Sequence, residues 1–198
     1  MGQIRDAERT KERILRAAAD AVRRVGPNVS LDAIAREAEV SKGGLMHHFP
    51  TRERLMLALV ESLYGEFEAD VAAAVTEDDT APGRLARAYV RASFAGMEPS
   101  EDASDHLLLA QLANLPSVRH HIEELETRWH AALVEDGLHP RMARMIIAAT
   151  EGAEVGELHE QVDAQGFQQL EWDLLALTRV APAVLAVIDL ADPVRPAE

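Results

Sequence analysis

Twenty residues, Ser30-Leu31-Asp32-Ala33-Ile34-Ala35-Arg36-Glu37-Ala38-Glu39-Val40-Ser41-Lys42-Gly43-Gly44-Leu45-Met46-His47-His48-Phe49, hold the chain's most informative pattern. Ile34, Ala35 and Ala38 share one face of a first short helix, and Leu45 and Phe49 share one face of a second. Val40 plugs the turn between them, and a residue as small as Ala35 lets the two helices cross closely. Burying those sides leaves Lys42, Gly43, Met46 and His47 pointing outward. A short helix presenting that face has the form of a helix-turn-helix, whose second helix enters the major groove of DNA. The same apolar pattern also occurs inside ordinary helical bundles, where His47-His48 would be plain solvated surface.

Other chemistry-bearing residues are scattered. Glu151 and Glu154 lie three apart, on neighbouring faces of one stretch. Buried, they would favour a cationic ligand or a metal; exposed, they are ordinary carboxylates of an acidic region. His130 and His159 are further polar candidates, and Phe94, Met97, Trp129 and Trp172 could line an apolar cavity or simply fill the core. His120 with Glu124, and Glu126 with His130, stand at the i,i+4 spacing of surface pairs. No His-x-x-x-His pair, Gly-rich phosphate loop or nucleophile elbow occurs, and cysteine is absent. No cofactor or metal is expected, and an enzyme is the weaker alternative.

The elements that must carry these residues read as helices throughout, because Ala, Leu, Arg and Glu dominate and period-2 alternation is nearly missing. Ile14, Leu15, Ala18, Val22 and Val25 mark a helix over 8–25, stopped by Gly26-Pro27. Ser30 and Ser41 are placed to cap helices at 31–38 and 42–48, and Pro50 breaks the second. Thr51 can cap a long helix over 52–75. Thr76–Gly83 is polar and punctuated, so it reads as a loop. Helices are then expected at 83–96, 105–115, 117–136, 140–163 and 167–190, with Pro182 kinking the last.

The 198 residues carry a net charge of −14, which at first argues against a nucleic-acid partner. Residues 1–60, however, hold 11 Lys and Arg against 8 Asp and Glu, while residues 61–198 hold 9 against 26. A basic end on an acidic body orients an approaching duplex, since counterion release depends on local phosphate contacts. The opening Met1–Asp6 is polar and charged, no apolar run reaches the length of a membrane span, and the expectation is a soluble cytoplasmic protein.

Residues 9–60 resemble the TetR family of regulators. Its pattern here is approximately T-x-x-x-I-A-x-x-A-G-V-S-x-G-x-L-Y-x-H-F-x-x-K-x-x-L, matched at Ile34, Ala35, Ala38, Val40, Ser41, Gly43, Leu45, His48, Phe49 and Leu55. Ser30 stands for Thr and Arg52 for Lys, and Thr10–Ala18 is similar to the family's first helix. Two positions depart: Glu39 occupies the usual turn glycine, and Met46 the usual aromatic. A side chain in a left-handed turn costs roughly 1 kcal/mol, so the turn is expected to be strained or differently shaped.

The resemblance implies an all-α protein: an N-terminal three-helix helix-turn-helix domain, 1–51, joined to a larger helical ligand-binding and dimerisation domain, 52–198. It implies that Ser30, His48 and Arg52 hold phosphates, and that Lys42, Gly43, Gly44, Met46 and His47 approach bases. Lys42 would donate to guanine and Met46 would touch a thymine methyl, with Gly43 and Gly44 allowing close backbone approach. Ala149, Gly152, Ala153 and Gly156, with Leu174, Leu177, Ala181 and Val184, could pack a second copy or their own subunit. Phe94, Met97, Trp129, His130, Glu151, Glu154 and His159 are the candidates for an effector pocket. The implied function is a ligand-released, operator-binding homodimeric repressor. A helical protein–protein module that has lost DNA binding is the other alternative.

Overall fold

A computed structural model describes residues 2–95, 105–158 and 163–180 of the protein. Among the described residues the fold is all-α: α1 (Gly2–Val25), α2 (Leu31–Glu37), α3 (Lys42–His48), α4 (Arg52–Ala74), α5 (Arg84–Ala95), α6 (Asp105–Leu112), α7 (Pro116–Glu135), α8 (Pro140–Leu158) and α9 (Ala164–Leu177). None of these helices is long and apolar enough to cross a membrane.

The chain forms two compact units. Among the described residues, one comprises 2–70 and 105–128, the other 71–95, 129–158 and 163–180. In the first, the apolar face of α1, with Ile14, Ala18, Ala21 and Val22, is buried with Ile34 and Ala35 of α2, Leu45 of α3 and Leu55, Met56 and Val60 of α4. Leu108, Leu112, Val118 and Ile122 of α6 and α7 complete that core. Arg24 of α1 reaches Glu37 of α2 at 2.6 Å, and Arg23 of α1 pairs with Asp105 of α6.

In the second unit, the charged side chain of Arg87 is buried on α5. Its Nε and Nη2 donate to the two carboxylate oxygens of Asp79 at 2.6 Å each. It also donates to the carbonyls of Ala81 and Pro82 and to Thr178 Oγ1. One guanidinium thereby ties the 76–83 loop and the end of α9 to α5, with its charge and most of its donors satisfied.

Several boundaries differ from the sequence reading. Pro116 does not merely separate two helices; it opens α7, because its missing N–H is one the first turn leaves unused. The break between the last two helices lies earlier than expected. Asp163 is extended and its carboxylate accepts from the Gly166 N–H at 2.8 Å, so α9 starts at Ala164 rather than 167. The same helix ends at Leu177, with Thr178 as its C-cap, well short of 190, and Pro182 lies outside the described residues. Val25, one of the apolar residues that mark α1, is 63% exposed, unlike Ile14, Leu15, Ala18 and Val22. It is the last helical residue before Gly26, whose φ of 84° turns the chain away.

Candidate functional site

Three side-chain caps set the helix-turn-helix. Ser30 Oγ accepts from the Ala33 N–H at 3.2 Å, Ser41 Oγ from Gly44 at 3.0 Å and Thr51 Oγ1 from Arg54 at 3.1 Å. Each satisfies one of the donors that a helix start leaves open. The turn after α2 is closed by two backbone bonds, from the Val40 N–H to the Ala35 carbonyl and from the Glu39 N–H to the Arg36 carbonyl. That pattern is the Schellman ending of a helix, and it needs a left-handed residue at position 39. Glu39 takes it, with φ 54°, the one non-glycine with positive φ among the described residues. The expected strain therefore exists, and the turn keeps the shape that glycine would give it.

Inside this frame Leu45, Phe49, Ile34, Ala35 and Ala38 are buried and Val40 packs against the same core. The opposite side of α3 is open: Lys42, Gly43, Met46 and His47 are exposed, while Gly44 and His48 are half-covered. The His47 and His48 rings meet edge to face at 5.6 Å. Lys42 Nζ lies 2.9 Å from Asp32 of α2, an ion pair with both side chains more than half exposed. Such a pair is worth roughly 0–1 kcal/mol and yields readily to a better acceptor. Ser30 is exposed at the start of α2, and Arg52 is half-buried at the start of α4. Two nitrogens of Arg52, Nε and Nη2, are buried without a hydrogen-bond partner. A phosphate oxygen is the kind of acceptor a guanidinium with unused donors takes up. The residues read from the sequence as one DNA face thus fall together on one side of α3 and at the neighbouring helix starts.

Of the residues proposed for an effector pocket, Phe94, Trp129, His130 and Glu151 are described with their side chains. Phe94 is buried in α5, and Trp129 packs its ring edge to face on Tyr89 at 5.2 Å. His130 Nε2 lies 3.1 Å from the Pro140 carbonyl, bridging the end of α7 to the start of α8. These groups lie in the second unit, Phe94 buried and Trp129 and His130 half-buried. Glu151 is exposed, which removes the buried-carboxylate reason for placing a cation or metal there. Among the described residues no group of three His, Asp or Glu could hold a metal ion. Met97, His159, Ala181 and Val184 lie outside the described residues, as do the side chain of Glu154 and the surroundings of Gly156.

Of the positions read as a dimer face, Ala153 and Leu174 are buried within the single chain and have little surface left for a second copy. Ala149 and Leu177 are half-covered, and Gly152 is exposed with nothing within 4 Å of where a Cβ would stand. Met145 on α8 and Trp172 on α9 are both more than half exposed, and α8 and α9 touch.

Sequence reasoning missed one feature of the first unit, a cleft of about 210 Å³ between α4 and α7. Glu61, Tyr64, Gly65 and Glu68 line it from α4, and His121, Leu125 and Arg128 from α7. The signal was present as two helical rows, at i, i+3, i+4, i+7 and i, i+4, i+7. Only the packing of α7 beside α4 joins them, and their polar residues look like solvated surface when each helix is read alone.

The family model described as Tetracyclin repressor-like, C-terminal domain, matches residues 83–179. That described as Bacterial regulatory proteins, tetR family, matches residues 14–59. No curated protein matches the chain. Among solved structures, the multidrug binding protein EbrR in complex with imidazole is similar at 25% identity and a TM-score of 0.66. That match covers 86% of this chain and 90% of EbrR. EbrR in complex with malachite green is similar at 23% identity and a TM-score of 0.67, covering 86% and 98%. A TetR family member from Streptomyces coelicolor A3 is similar at 24% identity and a TM-score of 0.71, covering 86% and 99%.

Proposed function

The chain belongs to the TetR family of transcriptional regulators, and from that premise we propose that it is a cytoplasmic, homodimeric, non-enzymatic repressor, bound to a palindromic operator through α3 and released by a small-molecule effector. Residues 1–51 form the DNA-binding domain in this reading, and 52–198 form the effector and dimerisation body.

One observation carries the DNA part: α3 buries Leu45 and sets Lys42, Gly43, Met46 and His47 on its free side. Lys42 leaves Asp32 for guanine O6 or N7, and Met46 touches a thymine methyl, while Gly43 and Gly44 let the helix backbone sit close to the bases. His47 joins them at the base edges. Ser30, His48 and Arg52 hold the flanking phosphates, and the unused guanidinium donors of Arg52 support that role. In a dimer the two copies of α3 must lie about 34–36 Å apart, or a multiple of that, to enter successive major grooves. Met145, Gly152 and Trp172, exposed on α8 and α9, supply the surface for pairing. That similar folds hold imidazole and malachite green supports a small-molecule effector. Helix α4 contributes to both compact units, Arg52–Asp70 to one and Val71–Ala74 to the other. Its tilt on effector binding changes the spacing of the two reading heads, and release equals the effector's differential affinity for the two states.

A footprint on the DNA flanking the protein's own gene tests the reading, backed by selection from random DNA. The expected result is a protected, two-fold symmetric site whose affinity falls steeply with salt. Lys42→Ala or His47→Ala should lower affinity about tenfold or more, the weight of about 1–3 kcal/mol per base contact. Arg52→Glu should abolish binding. Neither protection nor selection, or binding indifferent to salt, would leave a helical interaction module in place of a regulator.

A further inference from the structure

The DNA reading draws Lys42 away from Asp32 and leaves a carboxylate without its cation. In the free chain Lys42 Nζ donates to Asp32 Oδ2 at 2.9 Å, and both side chains stand more than half exposed. Asp32 lies in the first turn of α2 and Lys42 opens α3, so the pair bridges the two helices of the motif. Lys42 is the one ion-pair partner of Asp32 among the described residues. A surface pair of this kind adds little to the fold; its weight falls on what meets that surface.

A carboxylate only accepts hydrogen bonds. Once Lys42 donates to a guanine, Asp32 faces the duplex with its charge uncompensated, and the phosphates only repel it. The donors that the major groove offers are amino groups, N4 of cytosine and N6 of adenine. The one nearest to a guanine O6 is N4 of the cytosine paired with it, because those two atoms are hydrogen-bonded to each other at about 2.9 Å. The Nζ–Oδ2 separation in the free chain is the same 2.9 Å. An ammonium and a carboxylate at that spacing match the acceptor and the donor on the edge of one G·C pair. A T·A pair presents O4 and N6 at a similar spacing, but it has a methyl group where guanine has its second acceptor, N7.

We propose that Asp32 is a specificity-determining residue, accepting from the N4 amino group of the cytosine whose paired guanine takes Lys42. This role rests on the regulator reading and adds a second reader to the base pair that Lys42 contacts. On non-cognate DNA the Asp32 carboxylate offsets the attraction of Lys42 for phosphates and holds affinity down. On the operator it fixes the orientation of the base pair. In the reversed pair, C·G, the amino group lies under Lys42 and the guanine O6 under Asp32, donor against donor and acceptor against acceptor. Lys42 alone does not enforce that orientation, since an ammonium on a flexible four-carbon stem is a point charge with freely turning donors.

Selection from random DNA with the full chain identifies the operator, and Lys42→Ala marks the G·C pair that Lys42 reads by losing the preference for it. Synthetic operators with that pair reversed in both half-sites then test Asp32. The parent should lose about tenfold or more in affinity on reversal, whereas Asp32→Ala should bind the two operators within about twofold of each other. Asp32→Ala should also bind non-cognate DNA several-fold more tightly, with the slope of log affinity against log salt steeper by about one. Its helicity and Tm should stay close to the parent's, because Asp32 is exposed and Ser30 keeps the cap of α2. The proposal is overturned, with the regulator reading intact, by any of three results: no G·C preference lost in Lys42→Ala, a parent indifferent to the reversal, or an Asp32→Ala chain that discriminates as the parent does. A parent chain that selects no sequence at all removes the regulator reading and this role of Asp32 with it.

Discussion

Replacing Glu39 by glycine should stabilise the chain, although it removes a side chain and adds nothing. Glu39 holds φ 54° because the Val40 and Glu39 N–H groups must reach the carbonyls of Ala35 and Arg36. A Cβ in that region costs about 1–2 kcal/mol. Glycine removes this cost, but the unfolded chain gains freedom worth about 0.4–1 kcal/mol. The net backbone gain is about 0.5–1 kcal/mol. A second contribution comes from charge. The Glu39 carboxylate follows the carbonyl end of α2, where a negative group is disfavoured by about 0.3–1 kcal/mol. Glu39→Gln removes the charge and keeps the strained backbone, so the difference between the glycine and glutamine variants isolates the strain. Far-UV circular dichroism melts at one fixed protein concentration measure it. For a chain of this size 1 kcal/mol moves Tm by about 2–4 °C. The expected order is parent, then Glu39→Gln, then Glu39→Gly about 1–4 °C higher again. If the glycine variant melts no higher than the glutamine variant, the left-handed turn carries no strain and the reasoning fails.

Two further outcomes follow from the same structure. Leu45→Ala empties a fully buried position between α3 and the other helices of its core; it should cost about 2–5 kcal/mol by chemical denaturation and reduce DNA binding with it. The Arg87 guanidinium, hydrogen-bonded to Asp79, holds that carboxyl below its usual range. A depressed carboxyl adds stability that is complete above its unfolded value and is lost as pH falls through the folded one, so the parent should weaken progressively in acid from about pH 4 downward. Asp79→Asn should flatten that acid slope, while Arg87→Met should lower Tm at neutral pH, since it removes the partner that holds the Asp79 carboxylate and the 76–83 loop. An acid titration of Tm, unchanged by Asp79→Asn, would show that the pair does not govern the acid limb.

Much of the helix-turn-helix was legible because its determinants are local. Ser30, Ser41 and Thr51 each cap a donor three residues on, and Gly26-Pro27 ends α1 by its own backbone preference. Even the strain at Glu39 could be read, since a left-handed turn imposes its cost on whatever residue occupies it. The outward face of α3 followed from the inward one, as burying Leu45 and Phe49 leaves Lys42, Met46 and His47 outside. Pro116 and Asp163 misled for the opposite reason: a proline both stops one helix and starts another, and an Asp resembles surface until its cap is seen.

By itself, then, the sequence determined the helical class, the helix-turn-helix with its outward face and the basic bias of residues 1–60, all readable within short stretches of chain. Tertiary structure alone decided where charge is buried and where space remains. Arg87 is an ordinary helix arginine until Asp79 and Thr178, the latter 91 residues away, close around it. Leu174 and Ala153 could face a partner or their own subunit, and only packing fills the inside with them. Glu61, Gly65 and His121 line one cleft because α7 lies beside α4. Such contacts depend on segments far apart in the chain, and no residue's local preference encodes which distant surface it will meet.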